Sequence, residues 1–325
     1  MKRSLRSGMS FVALCVALLS GAADAQPFPA KPLRILVGFP PGSTPDVVTR
    51  TVSEKMTEDL AKPIVIENRP GAGGTIATEA AARAQPDGYT LLVSGCSADG
   101  IVYGFVMTGR PALDPFKDFT PVGRLMRDHW IVAVSPSLGV NTVKDLVVVA
   151  KAKPGSLNYP SGGPGSSQHL QTERFIRRLG IDATHVSYKE SAIADLLGGR
   201  MSFAVQSSAG IAPLVKSGKL KGLAVMSARR LEALPDVPTT GEAGFADLLY
   251  NAGLCLYAPG ATPQGIVMRL NAALNKAEAT EPVKHRFAEL GVEAVQGSPD
   301  ETAKFIAELM RLVDSLRIAV FGKAR

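Results

Sequence analysis

Short β-branched runs alternate with helix-period segments along this chain. Apolar positions cluster at 33–37, 63–67 and 89–93 as strands would, and residues 46–60 and 75–84 carry a helical repeat. In the first helix Val48, Val52, Met56 and Leu60 recur every fourth residue beside Val47, giving one stripe to bury and leaving Thr49, Arg50, Glu54 and Lys55 for water. A second block spans 130–240, with strands at 131–134, 184–187, 201–205 and 222–226 and helices at 144–152, 167–179 and 192–197. One further strand, 254–257, and three helical patterns between 263 and 318 follow, with few strands of their own to cover. That last part is therefore expected to pack back on the first block. The chain would then cross between lobes twice, near 121–127 and 245–251, as an α/β molecule with a hinge and a cleft. Residues 26–127 and 250–325 are expected to form one domain and residues 128–249 the other.

Length and composition agree with two domains: 325 residues with 46% hydrophobic positions can bury a sizeable interior, and no repeat or heptad pattern is present. The formal charge of +7 is spread along the chain, with no basic stripe interleaved with aromatics, so nucleic acid is not an expected partner.

The first 25 residues read as an export signal: Lys2, Arg3 and Arg6, an apolar run from Met9 to Leu19, then Ala23-Asp24-Ala25. The run falls short of the roughly 20 residues that span a bilayer. No Cys follows the small residues Ser20-Gly21-Ala22, so cleavage after Ala25 should free an exported, unanchored protein. Removing Lys2, Arg3, Arg6 and Asp24 leaves 33 basic and 28 acidic residues, a mild excess that suits small anionic ligands. Cys15 goes with the signal, so Cys96 and Cys255 can form one bridge at most; they are expected as two unpaired, buried thiols.

Three glycine-rich loops each follow a strand and open a helix: Phe39-Pro40-Pro41-Gly42-Ser43-Thr44-Pro45-Asp46, Arg69-Pro70-Gly71-Ala72-Gly73-Gly74-Thr75 and Ser161-Gly162-Gly163-Pro164-Gly165-Ser166-Ser167. Glycine lets the backbone turn close to a ligand, and the free amides and positive dipole end of the next helix favour an anion. Ser43, Ser166 and Ser167 would add hydroxyl donors. Thr44 suits the N-cap and Pro45 the first helical position, which places Asp46 in the first turn. There it either complements the helix dipole or faces the cleft and accepts from a ligand.

Other chemistries find little footing. Gly71-Ala72-Gly73-Gly74-Thr75-Ile76 lacks the third glycine of a dinucleotide fingerprint, and no acidic residue ends the next strand. No loop has the lysine of a phosphate-binding P-loop. Ser167 and His169 lie close, but no Gly-x-Ser-x-Gly elbow surrounds them, and His169 reads as a hydrogen-bonded structural histidine. His129, His169, His185 and His285 lack metal-site spacing, so no metal centre is expected.

Pro32-Leu33-Arg34-Ile35-Leu36-Val37 through Phe39-Pro40-Pro41-Gly42 to Asp46 resembles the opening of the Bug-type extracytoplasmic solute receptors, the binding subunits of tripartite tricarboxylate transporters. The likeness continues in order through Glu67-Asn68-Arg69-Pro70-Gly71-Ala72-Gly73-Gly74, Pro86-Asp87-Gly88-Tyr89, Asp118-Phe119-Thr120-Pro121-Val122 and Ala150-Lys151-Ala152-Lys153-Pro154-Gly155. It extends over His185-Val186-Ser187-Tyr188-Lys189, Asp195-Leu196-Leu197-Gly198-Gly199, Leu234-Pro235-Asp236-Val237-Pro238-Thr239 and Ala258-Pro259-Gly260-Ala261-Thr262-Pro263.

This resemblance implies a monomeric, two-lobed periplasmic binding protein of the Venus-flytrap, type II-like class that closes on a small organic acid without catalysis or cofactor. It also implies a membrane permease, or a sensor protein, as partner. One ligand carboxylate would be held by the loop Phe39 to Asp46 and by Ser161 to Ser167 of the other lobe. Phe39, Gly42, Ser43, Asp46, Ser161, Gly165, Ser166 and Ser167 are thus the candidate ligand-binding residues, and Ser94 and Ser207, each just past an expected strand, are candidates for lining the pocket. Neither loop contains Lys or Arg, which fits recognition by main-chain amides and hydroxyls. Departures from the family pattern are Gly42-Ser43 in place of Gly-Gly, Glu190 in place of a usual Gly, and Tyr250-Asn251-Ala252-Gly253 where a Trp is expected. Glu190 would either disfavour a second carboxylate or belong to the turn before the next helix. The rival readings are a sensor without transport, and an exported enzyme on a small acid with Asp46 or His169 as base.

Overall fold

The computed structural model describes residues 28–71, 74–96, 101, 113–188 and 191–322; the expected signal segment and Glu190 lie outside them. Strand β1 (Leu33–Val37) pairs in parallel with β2 (Ile64–Asn68) on one side and β3 (Thr90–Gly95) on the other. Helices α1 (Thr44–Leu60) and α2 (Thr75–Ala82) make the returns, so all three strands end at one edge of the sheet. Val48, Val52 and Met56 are fully buried and Leu60 nearly so, as the repeat requires. Thr49 departs from expectation: it is buried, because its hydroxyl donates to the Pro45 carbonyl (2.6 Å) and needs no water.

Strand β4 (Phe119–Val134) runs 16 residues and serves two sets of partners. From Phe119 to His129 it pairs antiparallel with β9 (Asn251–Pro259), which in turn pairs with β3. From Trp130 onward it pairs with β7 (Phe203–Ser207) and β8 (Lys221–Val225). A two-residue strand, β10 (Val292–Glu293), joins β4 at Arg127 and Asp128. A separate parallel pair, β5 (Asn158–Ser161) with β6 (Thr184–Ser187), lies beside β7, tied to it by Asn158 and Ser202. The chain returns through Tyr250, whose ring meets Trp130 edge-on at 5.2 Å, so both crossings are neighbours in one ladder.

The remaining helices are α3 (Val143–Ala152), α4 (Ser167–Leu179), α5 (Ile193–Leu197), α6 (Ser208–Lys216), α7 (Gln264–Glu278), α8 (Glu281–Glu289) and α9 (Pro299–Phe321). The last three include the C-terminal packing expected of them: Leu270, Leu274, Val283 and Phe287 close over β1 and α1 in one apolar cluster. A second cluster runs from Leu36 and Leu92 past Trp130 and Val132 to Tyr159, Phe175 and Phe203, and Ile306 and Leu309 of α9 belong to it. A third fills the other face of β4, with Ile131, Ala133, Ile211 and Leu231. Among the described residues no helix is long and apolar enough to cross a membrane.

Cys96 and Cys255 form a disulfide, with Cα atoms 5.1 Å apart, which corrects the expectation of two free thiols. The reason is register. Ser94 stands opposite Cys255 in the β3–β9 ladder and the Cys96 amide donates to Gly253, so the ladder itself brings the two side chains together. Their separation of 159 residues hid this from the sequence.

Candidate ligand-binding site

The first glycine loop leaves the carboxyl end of β1. Gly42 takes φ +77°, a conformation that an L side chain rarely adopts. Ser43, rather than Thr44, is the N-cap of α1, and its hydroxyl donates to the Pro40 carbonyl (2.6 Å) instead of capping the helix. Asp46 is 2% exposed and occupied from within. It accepts from the Gly42 amide (2.9 Å), from Arg50 Nε (3.0 Å) and from Asn68 Nδ2 (2.8 Å), while Asn68 also donates to the Phe39 carbonyl. Burial would raise the Asp46 carboxyl, but the bonds from Arg50, Gly42 and Asn68 outweigh it and hold the pKa below the ordinary range.

The second loop backs the first. A Cβ on Gly38 would come within 3.0 Å of the Gly74 Cα, so glycine at position 38 lets the two turns touch, while Gly74 is required by its φ of +90°. Arg69 is engaged with Glu67 at 2.6 Å and Arg50 with Asp46 at 3.0 Å, so the nearest cations of this edge are already paired. Ser94, the last residue but one of β3, lies at the same edge and is buried.

The third loop leaves β5 and is built from hydroxyls and imidazoles. Buried Ser161 accepts the Gly163 amide (3.0 Å) and lies 2.6 Å from His185 Nε2. The Gly165 amide donates to His169 Nδ1 (3.0 Å), and Ser166 caps α4 by accepting the His169 amide (3.3 Å). Burial, and secondarily the neighbouring His185, lowers the His169 pKa to about 4, so the ring is neutral near pH 7. This is the structural histidine expected from the sequence. His185, Asn68 and Gln168, whose Oε1 accepts the Gly162 amide (3.2 Å), are parts of the loop machinery that sequence reasoning did not single out.

The amides available to a ligand are therefore a subset of those expected. Those of Gly42, Ser43, Gly165 and Ser166 are spent inside their loops. Among the described residues, the first-turn amides of Thr44, Asp46, Ser167 and Gln168 have no acceptor, as helix starts leave them. With the Ser166 hydroxyl proton, they form two donor sets without a cationic side chain. Ser207 ends β7 at the N-cap position of α6 without a side-chain cap bond, next to Ser208, whose hydroxyl bonds to buried Asp128.

A groove of about 630 Å³ near Val140, Lys216 and Leu234, and a cavity of about 360 Å³ near His129, Glu278 and Lys284, are lined by no residue of these loops. No cluster of three or more potential metal ligands exists among the described residues.

Comparison with known proteins gives this geometry a context. BugT of Bordetella pertussis is 33% identical over 297 residues, covering 91% of each chain. MatC of Rhodopseudomonas palustris, solved with bound malate, superposes with TM-score 0.76 at 29% identity, covering 89% of this chain and 100% of its own. Rpa4515 of R. palustris, solved with adipate, superposes with TM-score 0.78 at 30% identity over 89% of this chain and 98% of its own. These likenesses fit the α/β two-lobed fold of periplasmic binding proteins. Residues 48–317 match the family described as tripartite tricarboxylate transporter family receptor, and the chain belongs to that Bug-type receptor family.

Proposed function

We propose that this protein is a periplasmic solute receptor that closes over a small carboxylate-bearing metabolite and delivers it to a membrane permease. The lobes would be residues 26–127 with 250–325, and residues 128–249, with the chain crossing beside Trp130 and Tyr250. The observation that carries the reading is the pair of preordered helix starts. Thr44 and Asp46 on one side of the β4 switch, and Ser166, Ser167 and Gln168 on the other, offer donors aligned with a helix dipole and unspent among the described residues. A ligand touching both sets gains its second set of contacts only when the lobes close, and that difference in affinity drives closure. Malate and adipate in the two R. palustris proteins support a carboxylate as the recognised group.

A thermal-shift panel of mono-, di- and tricarboxylates, aromatic acids and amino acids tests this. A ligand at about 100 times its Kd stabilises the fold by roughly 2.7 kcal/mol. The double variant Ser166→Ala/Ser167→Ala, which removes the Ser166 hydroxyl proton and keeps the amides, should reduce that gain while the apo protein stays folded. A full panel without any shift counts against the reading. Recovery of the bound acid unchanged in mass separates a receptor from an enzyme, and loss of uptake on deleting the gene separates transport from sensing.

A further inference from the structure

Both ends of the 161–167 loop are tied to imidazole rings. The Gly165 amide donates to His169 Nδ1, and Ser161 Oγ meets His185 Nε2. The two rings stack with centroids 4.1 Å apart, and Tyr159 flanks them at 6.3 and 5.3 Å. Phe321, at the far end of α9, lies 5.4 Å from His169 and shields it. The stack therefore draws on β5, α4, β6 and α9, and none of its rings was needed to explain the carboxylate donors themselves.

The direction of one hydrogen bond sets the protonation state. A backbone amide donates to Nδ1 only when that nitrogen bears no proton, so His169 is the neutral Nε2–H tautomer. His169 also gives its own amide to Ser166 Oγ, so one residue holds two consecutive members of the loop. A proton on Nδ1 would turn the acceptor into a donor facing a donor, beside a second imidazole.

We propose that His169 is a positioning residue for ligand capture, whose unprotonated Nδ1 presets Gly165 and Ser166 so that the α4 donors face the anion, and whose protonation releases it. This rests on the reading that the loop grips a carboxylate. The titratable groups around the ring are His185 of β6, stacked on it, Tyr159 of β5, and Glu173 on α4, which accepts from the Tyr159 hydroxyl (2.5 Å) and pairs with Arg177. The contact from α9 is the uncharged Phe321. Burial and His185 keep the His169 pKa down near 4 against the pull of Glu173, and burial lowers that of His185 as well. The acceptor form thus persists at neutral and mildly acidic pH and is lost as the pH falls through about 4.

Two variants separate positioning from packing. His169→Asn keeps an acceptor oxygen at the place of Nδ1 but does not titrate, and His169→Phe keeps a flat ring without the acceptor. In 15N-labelled wild type the Gly165 amide should resist exchange, and its shift should follow the His169 ring titration. His169→Phe should lose that protection and bind malate or adipate about tenfold more weakly at neutral pH, the scale of one lost hydrogen bond. His169→Asn should restore both and lose less affinity than wild type on acidification to about pH 4. Protonation of the probe acids affects both proteins equally and cancels in the comparison. A Gly165 amide indifferent to the His169 titration overturns the proposal, as does His169→Asn weakening in acid as steeply as wild type. If neither acid binds wild type, carboxylate capture loses its support, and the amide measurements still decide whether His169 holds the loop.

Discussion

At the scale of single residues the ligand loops are held by buried acceptors, and Asp46 shows how much rests on one of them. Its two oxygens serve the Gly42 amide, Arg50 and Asn68, so it ties the first loop to α1 and to the end of β2. Truncation leaves those donors without an acceptor. Asp46→Ala should cost about 2–3 kcal/mol in urea unfolding, and Asn68→Ala about 1 kcal/mol. The double variant should cost less than their sum, because the two share a bond. Since the Asp46 pKa is lowered, its contribution is present above the ordinary value of 3.8 and is lost as the pH falls below it. An Asp46→Ala protein as stable as wild type would leave the loop without the support described. The loops themselves were legible in the sequence, because glycine and serine ahead of a helical repeat are local signals. Which amides are spent was not, because Asn68 and His185 reach the loops from 22 and 24 residues beyond their partners Asp46 and Ser161.

At the scale of elements, legibility followed how local each signal is. Helix α4 was readable to its exact bounds because Ser166 caps it and Gly180, in the left-handed region, stops it. Helix α6 escapes a sequence reading because Gly210 and Pro213 interrupt the helical pattern, and β5 does so because Pro160 sits inside it. The first half of β4 reads as a crossing rather than a strand, since Arg124, Arg127 and Asp128 look solvated until β9 and β10 cover them. The disulfide belongs to this scale too, because it staples β3 to β9, on which β4 depends. Replacing both cysteines by Ala should lower stability by about 2–4 kcal/mol, the usual range for a native bridge, and mostly through the unfolded chain. Denaturant midpoints with and without reductant check this: wild type should shift with reductant and the double variant should not. An unshifted wild type, with both thiols alkylated only after unfolding, would instead restore two free, buried cysteines.

At the scale of the whole molecule, the point of interest is where β4 changes partners. Asp128 lies there, two residues before Trp130, buried between the start of α6 and the turn into β10. Ser208 Oγ is 3.2 Å from Asp128 Oδ1 and 2.6 Å from the Gly291 carbonyl. One hydroxyl proton cannot serve two acceptors. If Asp128 is protonated, its O–H donates to Ser208 and Ser208 donates to Gly291, and both contacts are satisfied. Burial accordingly raises the Asp128 pKa to about 6, against Ser207, Ser208 and His129, which favour the carboxylate. Because the folded value exceeds the unfolded 3.8, the contribution is fully present below pH 3.8 and is lost as the pH rises through about 6. Asp128→Asn retains a donor to Ser208 at every pH and never ionises. It should therefore be more stable than wild type above pH 6 by up to about 3 kcal/mol, the free energy that separates a carboxyl titrating at 3.8 from one titrating at about 6, with the gain vanishing near pH 4. His169, and Glu293, whose pKa is held near 2 chiefly by His129, act in the opposite direction, but they act equally in both proteins. The difference between two urea series across that pH range therefore isolates Asp128. A difference that stays flat with pH would show that the carboxyl titrates as it does in water, and that the junction is held by the two ladders of β4 alone.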